Sequence, residues 1–155
     1  MKKDKMKMEN KKQVILIATG GTGGHIFPAL SIISQQKFDR YLIITYKRGK
    51  NYITKFLDKK NINALMYVQK VISPSQKLII NKFISLFYFG ISFLKSIILV
   101  IKHQPDIAIG FGGYPSISPI LAAKFFGIDT IIHEQNAVVG RANKLLSHIS
   151  NLVAL

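Results

Sequence analysis

Apolar residues fall into six short, continuous runs that are separated by longer amphipathic stretches. The runs are rich in β-branched residues and do not alternate in polarity, which is typical of parallel strands buried on both faces. They predict strands at residues 14–19, 41–46, 64–68, 106–110, 130–133 and 152–155. The stretches between them predict helices at residues 26–36, 52–59, 77–103, 116–126 and 141–149. This alternation predicts an α/β fold with a Rossmann-like, doubly wound parallel sheet.

The longest predicted helix contains twelve consecutive residues, 83–94, without a charged side chain. It fits three alternatives: a core helix, a helix that dips into a membrane interface, or a membrane span. Lys82 and Lys95 oppose a span, because each lysine is costly near a bilayer centre. On a helical wheel a narrow polar stripe contains Lys77, Asn81, Tyr88, Lys95 and Lys102, with Ser85 and Ser92 beside it. The stripe favours a helix that packs on the sheet and leaves part of its apolar surface exposed.

Composition narrows the possible partners. The 155 residues suit one domain, and 22 basic against 7 acidic residues give a net charge of +15. Residues 1–12 hold six lysines and predict a flexible basic tail, which leaves residues 13–155 as the domain. The charge indicates anionic partners, namely phosphates, nucleic acid or an acidic membrane surface. Because the chain has no cysteine, a disulfide framework, a thiol nucleophile and a zinc–thiolate site are excluded.

Two glycine-rich loops follow the first and fourth predicted strands. They contain seven of the eleven glycines, in Gly20-Gly21-Thr22-Gly23-Gly24 and Gly110-Phe111-Gly112-Gly113. One glycine would suffice for a tight turn, so three or four indicate a ligand that approaches the backbone closely. Backbone amides at a helix N-terminus attract phosphate. Both loops are therefore predicted phosphate-binding sites, and Tyr114, directly after the second loop, is expected beside the same cleft, as a substrate contact or as a packing residue.

His25 follows the first glycine loop and precedes Pro28, a residue favoured in the first turn of a helix. At a helix N-terminus the dipole disfavours imidazolium, so a neutral ring is expected near pH 7. A neutral imidazole beside a phosphate loop is a candidate general base. The alternative is that His25 positions the loop or contacts phosphate without transferring a proton.

The segment His133-Glu134-Gln135-Asn136 ends the fifth predicted strand, at the edge where ligands bind in such sheets. Glu134 is a candidate to bind a sugar hydroxyl, to orient His25 or to act as the base, and Asn136 suits sugar or amide recognition. The alternative is a turn at Asn136 with a salt bridge from Glu134 to Arg141 or Lys144. The spacing does not match the zinc motif His-Glu-x-x-His, and no metal is expected.

The first glycine loop matches only part of the dinucleotide-binding fingerprint. Its third glycine position holds Ile26, and Lys47 and Arg48 replace the acid expected after the second strand. This pattern disfavours NAD and leaves an NADP-type nucleotide-binding domain open. Nucleic-acid binding has only the charge in its favour, because no recognition motif accompanies it.

Together the motifs resemble one bacterial family of GT-B glycosyltransferases, the MurG family. The resemblance rests on four segments in order: Gly20 to Pro28, Gly110 to Tyr114, His133 to Ala137, and Asn143 to Leu146. It extends over nearly the whole chain from Val14. It implies the N-terminal, acceptor-handling domain of an enzyme with two Rossmann-like domains.

The resemblance implies a function and its partners. The family transfers N-acetylglucosamine from UDP-N-acetylglucosamine to the 4-hydroxyl of lipid I, an undecaprenyl-diphosphate-linked acceptor, with inversion and without a cofactor. This makes lipid II for peptidoglycan, and hence serves cell-wall formation, cell shape and cell division. The glycine loops, with Gly21, Gly112 and Gly113, are expected at the acceptor diphosphate. Four residues match family positions for the donor sugar nucleotide: Thr22, Gly23, Gly24 and Asn136.

The resemblance also implies a peripheral location on the cytoplasmic side of the inner membrane, through an apolar patch with basic neighbours. Two departures are evident. The second loop continues as Tyr114-Pro115-Ser116, where the family usually has further small residues and glycine. The family's C-terminal donor domain is not found before Leu155, so the chain is expected to be inactive alone, as a fragment or as one partner of a split enzyme. The alternative is a non-catalytic remnant that binds membrane or lipid-linked diphosphate.

Overall fold

The structure, a computed structural model, describes residues 12–70 and 79–155. In these residues six strands alternate with five helices. The strands are β1 (Val14–Ala18), β2 (Arg40–Thr45), β3 (Ala64–Val68), β4 (Ile107–Gly110), β5 (Asp129–His133) and β6 (Leu152–Ala154). The helices are α1 (Gly23–Gln35), α2 (Lys47–Lys60), α3 (Ile79–His103), α4 (Tyr114–Phe125) and α5 (Arg141–Ser147). The predicted basic tail lies almost wholly outside the described residues.

All strand pairs are parallel, and the order across the sheet is β3-β2-β1-β4-β5-β6. The order reverses between β1 and β4, which makes the crevice beyond their carboxyl ends the topological switch point. The predicted doubly wound α/β fold is confirmed. Both glycine loops leave the sheet at this switch point, because one follows β1 and the other follows β4.

The continuous apolar runs form central strands because both faces of the sheet are covered. Ile15 and Ile17 of β1 pack in a core with α1 and α2, whereas Leu16 and Ala18 pack in a second core with α3, α4 and α5. Every residue of β1 is buried. A strand that contacts apolar cores on both sides needs no polar alternation, which is why the runs predicted the strands correctly.

Three helices begin earlier than their sequence patterns predict. Helix α1 begins at Gly23, so Pro28 lies in its interior and not in its first turn. His25 lies in the first turn, as predicted.

Helix α2 begins at Lys47, five residues before the predicted start. There Gly49 is buried, and a Cβ on it would lie 2.5 Å from the Thr45 hydroxyl oxygen and 3.3 Å from the Gly20 carbonyl oxygen. This tertiary contact is invisible to local propensity. Helix α4 begins at Tyr114, with Pro115 in its first turn.

Helix α3 turns its small polar residues inward. Ser85, Ser92 and Ser96 are buried, and the side-chain amide nitrogen of Gln69 donates a hydrogen bond of 2.9 Å to the hydroxyl of Ser96. Ser118 of α4 donates to the other end of the same amide at 3.3 Å. The serines beside the predicted stripe, Ser85 and Ser92, therefore face the core, whereas Lys95 and Lys102 of the stripe are exposed. Lys77 and the side chain of Asn81 lie outside the described part.

The opposite side of α3 is apolar and exposed. Phe83 and Phe87 keep 69% and 67% of their surface accessible, and five further apolar residues of α3 are exposed: Ile84, Leu86, Leu94, Ile98 and Ile101. The segment Phe83–His103 is long and apolar enough to cross a membrane, with a mean hydropathy of 2.1 and 28% of that window buried. One such helix is weak evidence for a span, and the core helix of a soluble protein also passes this criterion. We call this exposed side of α3 the apolar face.

Candidate functional site

The two glycine loops touch each other at the switch point. A Cβ on Gly113 would lie 3.1 Å from the Cα of Gly20, so the two backbones are in direct contact. Gly112 and Gly113 have φ angles of 85° and 79°, which favour glycine over any L-residue. The second loop can lie on the first only because these positions have no side chain.

A cavity of about 230 Å³ opens where the loops meet. Its lining residues are Gly20, Gly21, Thr22, His25, Tyr46, Gly113, Tyr114 and Pro115. The N-termini of α1 and α4 both lie at this edge of the sheet, and neither helix has an acidic residue in its first turn. Backbone amides at two helix N-termini and the two helix dipoles make this cavity suitable for phosphate.

His25 lies between the loops. A Cβ on Gly112 would be 2.9 Å from its Cδ2 and 3.0 Å from its Nε2, and a Cβ on Gly20 would be 2.8 Å from its Nδ1. The Thr22 hydroxyl makes no hydrogen bond to the helix backbone as an N-cap and instead lies 2.7 Å from Nδ1 of His25. Glycines on both sides thus leave room for the ring, and Thr22 fixes its orientation.

Burial lowers the pKa of His25 below 6.5, and the negative charge of Glu134 opposes this shift. The ring is therefore neutral near pH 7, as expected from the sequence, although the main cause is desolvation. In a neutral ring one nitrogen carries the proton and the other a lone pair. If Nδ1 donates to Thr22, the lone pair is on Nε2, beside Gly112. This is the arrangement that a base acting through Nε2 requires.

Glu134 is buried, with 3% of its surface accessible. Its carboxylate accepts hydrogen bonds from Asn136, Gly140 and Asn143. Burial alone would raise its pKa, but the hydrogen bonds from Gly140, Asn136 and Asn143 outweigh it and the pKa is lowered. Among the described residues these neutral donors take the place of the salt bridge to Arg141 or Lys144, the alternative that the sequence left open.

The residues that match family positions for the donor sugar nucleotide lie at one edge of the sheet, beyond the carboxyl ends of its strands. Thr22, Gly23, Gly24 and Asn136 are all exposed. A Cβ on Gly24 would lie 3.9 Å from the side-chain nitrogen of Gln135, so the start of α1 and the segment after β5 are neighbours. The structure brings together the two segments that the sequence placed at separate strand ends. Their role in binding a ligand stays a prediction.

Some residues at this edge were not predicted. Tyr46 and Pro115 line the cavity, and the ring of Tyr46 packs where a side chain on Gly21 would lie. Both side-chain polar atoms of Gln135 are buried without a hydrogen-bond partner among the described residues. Tyr46 follows β2 directly, so its position at the carboxyl end of a strand could have indicated it. Gln135 belongs to the segment predicted at this edge, but its burial could not be predicted, because it depends on the approach of α1.

Residues 12–70 and 79–155 contain no group of three or more His, Asp or Glu side chains that could hold a metal ion. The expectation that neither metal nor cofactor is required stays a prediction.

The chain matches the family described as the glycosyltransferase family 28 N-terminal domain over residues 15–155. Two similar proteins are both described as "UDP-N-acetylglucosamine--N-acetylmuramyl-(pentapeptide) pyrophosphoryl-undecaprenol N-acetylglucosamine transferase". The one from Allorhizobium ampelinum is 40% identical over 139 residues, which are 88% of this chain and 36% of the relative. The one from Wolbachia sp. subsp. Brugia malayi is 39% identical over 143 residues, which are 90% of this chain and 38% of the relative.

The fold is also similar to a solved structure, the crystal structure of MurG from Acinetobacter baumannii. The TM-score is 0.69 at 29% sequence identity, over 92% of this chain and 41% of that one. The chain thus spans little more than a third of the length of the relatives that it matches. The similarity covers the sheet, both glycine loops and the segment after β5.

Proposed function

The chain belongs to the glycosyltransferase family 28 N-terminal domain family, and from this premise we propose that it is the acceptor-binding half of an inverting glycosyltransferase. The donor is UDP-N-acetylglucosamine, and the acceptor is the 4-hydroxyl of lipid I. The observation that carries the proposal is the cavity between the two glycine loops, with His25 in its wall. The names of the relatives support the same substrates and do not favour the NADP-type alternative.

The cavity suits the lipid-linked diphosphate. Helix N-termini and loop amides bind phosphate oxygens without a metal, and the net charge of +15 attracts the anion. In the proposed reaction the acceptor oxygen bonds to the anomeric carbon while the bond from that carbon to UDP breaks. UDP leaves with the electron pair, and the hydroxyl proton passes to neutral His25. Thr22, Gly23, Gly24 and Asn136 contact the donor from the acceptor side of the cleft.

Transfer requires that the donor be held opposite this cavity. A reacting pair gains most of its rate from correct placement, and one wall of a cleft leaves the uridine and the departing diphosphate without partners. We therefore expect no lipid II when this chain alone is incubated with UDP-N-acetylglucosamine and lipid I. Product should form when a donor half is supplied, in the same polypeptide or as a second chain. Lipid II made by this chain alone would contradict the two-half proposal, and no product in either case would contradict the proposed function.

We propose a peripheral location at the cytoplasmic surface of the inner membrane, and the apolar face of α3 supports the membrane contact. Exposed aromatic and aliphatic side chains of this face have Lys95 and Lys102 beside them. Apolar insertion together with lysines near anionic headgroups is the usual basis of interfacial docking. This arrangement also brings the domain to its lipid-linked acceptor.

Serine substitutions at Phe83, Leu86 and Phe87 should reduce co-sedimentation with anionic liposomes by roughly tenfold or more, because each removes a large apolar group from the interface. A matched control is Val138→Ser, which changes an apolar residue that is 82% exposed but belongs to the loop after β5 and not to α3. Co-sedimentation that is unchanged both by the triple substitution and by the anionic lipid content would rule out this docking.

A further inference from the structure

We propose that Glu134 is a positioning residue that holds Asn136 and the segment after β5 in one arrangement, so that Asn136 presents its amide oxygen to the donor sugar nucleotide. In this proposal Glu134 exchanges no proton with a substrate. The donor contact of Asn136 rests on the proposed function, whereas the hold of Glu134 on the segment does not.

The first step is that the Glu134 carboxylate is fully used. Oε1 accepts from the backbone N–H of Asn136 at 3.0 Å and from its side-chain Nδ2 at 2.9 Å. Oε2 accepts from the backbone N–H of Gly140 at 2.9 Å and from Nδ2 of Asn143 at 3.0 Å. A carboxylate has about four acceptor sites. A substrate proton could be accepted only if one of these bonds were broken.

The second step concerns the orientation of the Asn136 side chain. An ionised carboxylate only accepts hydrogen bonds, so the atom that faces Glu134 must be the amide nitrogen. Its amide oxygen and its second N–H are then left for other partners, and the residue is exposed. The free oxygen selects groups that donate, such as a sugar hydroxyl or the N–H of an acetamido group.

The third step is that residues 136–140 have few other hydrogen bonds among the described residues, one of them from the N–H of Lys144 to the Gly140 carbonyl oxygen at 2.8 Å. Residues 136–140 are exposed, whereas Glu134 is anchored by its own backbone N–H to the Ala154 carbonyl oxygen at 2.9 Å. One buried carboxylate therefore joins Asn136, the start of α5 at Gly140, and Asn143. Loss of a charged acceptor in such a network leaves several donors unpaired at once.

The variant Glu134→Gln tests the proposal, because glutamine keeps the shape but replaces one acceptor oxygen by an NH₂ group. In this chain, amide hydrogen exchange at Asn136 and Gly140 should become roughly tenfold faster. The control Asp58→Asn removes the same charge from an exposed position near the end of α2 and should leave both rates unchanged. In the double variant Glu134→Gln, Asn136→Asp, the new amide NH₂ of residue 134 donates to the new carboxylate of residue 136. The amide oxygen of residue 134 then stays available to the Gly140 N–H, so exchange at Gly140 should slow towards the wild-type rate.

Kinetics of the enzyme that includes a donor half supply the second readout. Glu134→Gln should raise KM for UDP-N-acetylglucosamine by roughly tenfold, with a smaller change in kcat. The acidic limb of the pH–rate profile should persist and move to lower pH, because the carboxylate opposes the lowered pKa of His25. Loss of that limb with a kcat decrease of about 10²–10⁴-fold would instead make Glu134 the proton acceptor.

The two readouts separate the two proposals. Unchanged exchange at Asn136 and Gly140 in Glu134→Gln would overturn the positioning role, whatever the kinetics. Faster exchange combined with wild-type KM would overturn the link from Glu134 to the donor. A wild-type enzyme that makes no lipid II would overturn the proposed function, while the exchange result would still decide whether Glu134 holds the segment.

Discussion

Alanine at Gly112 is expected to reduce glycosyl transfer by at least about a hundredfold, because displacement of a reacting group by about 1 Å has an effect of this size. The new Cβ would lie 2.9 Å from Cδ2 of His25 and 3.1 Å from Nδ2 of Asn143. The imidazole must then move out of its place between the loops. The backbone adds strain of about 1–2 kcal/mol, because φ at Gly112 is 85°.

Gly127 provides the matched control for this substitution. Its φ is 70°, so alanine there carries comparable backbone strain, but no atom lies within 4 Å of the new Cβ. Gly127→Ala should lower the free energy of unfolding by about 1–2 kcal/mol and leave kcat unchanged. Chemical denaturation and steady-state kinetics on both variants separate strain from loss of the site. Equal activity of the two variants per folded molecule would contradict the role given to the contact between His25 and the second loop.

Substitution of His25 by glutamine is expected to lower kcat by about 10²–10⁴-fold, the usual loss when a general base is removed. His148→Gln is the control, because His148 is exposed at the end of α5. If His25 only positions the loop or binds phosphate, KM for lipid I should rise while kcat changes little. A wild-type kcat in His25→Gln would remove His25 from the base role.

The lowered pKa of His25 gives the direction of two pH effects. A base must be unprotonated, so activity should decline only as the pH falls below 6.5, through the lowered pKa. Between that pKa and 6.5 the unfolded chain binds more protons at this residue than the folded chain does, so stability rises with pH in this window. Chemical denaturation at several pH values should show that the free energy of unfolding of His25→Gln lacks this rise with pH.

The sequence predicted those features that depend on local pattern. Continuous apolar runs such as residues 14–18 located the strands, and glycines after β1 and β4 located the cavity, because parallel strands bring their carboxyl ends to one edge. It did not predict contacts between distant residues. The early start of α2 depends on the close packing of Gly49 against the backbone of Gly20. The inward orientation of the α3 serines depends on hydrogen bonds to the side chain of Gln69. These partners are remote in the chain.

The same limit applies to Glu134. From the sequence it was a candidate base, sugar ligand or partner of His25, with a salt bridge to Arg141 or Lys144 as the alternative. The number of hydrogen-bond donors around its carboxylate distinguishes these roles. Two of the donors belong to Gly140 and Asn143, and the turn after β5 brings these residues back to Glu134. A residue type and its strand-end position indicate where chemistry can occur, whereas the hydrogen-bond partners decide which chemistry it is.

The most direct test of the acceptor-binding proposal is equilibrium binding of a water-soluble lipid I analogue with a short prenyl chain to this chain, measured by titration calorimetry. The account predicts saturable binding that inorganic pyrophosphate competes for. It also predicts affinity at least roughly tenfold weaker in Gly112→Ala, and unchanged in Gly127→Ala. Absence of binding, or the same affinity in all three proteins, would contradict the claim that the cavity between the glycine loops is the acceptor site.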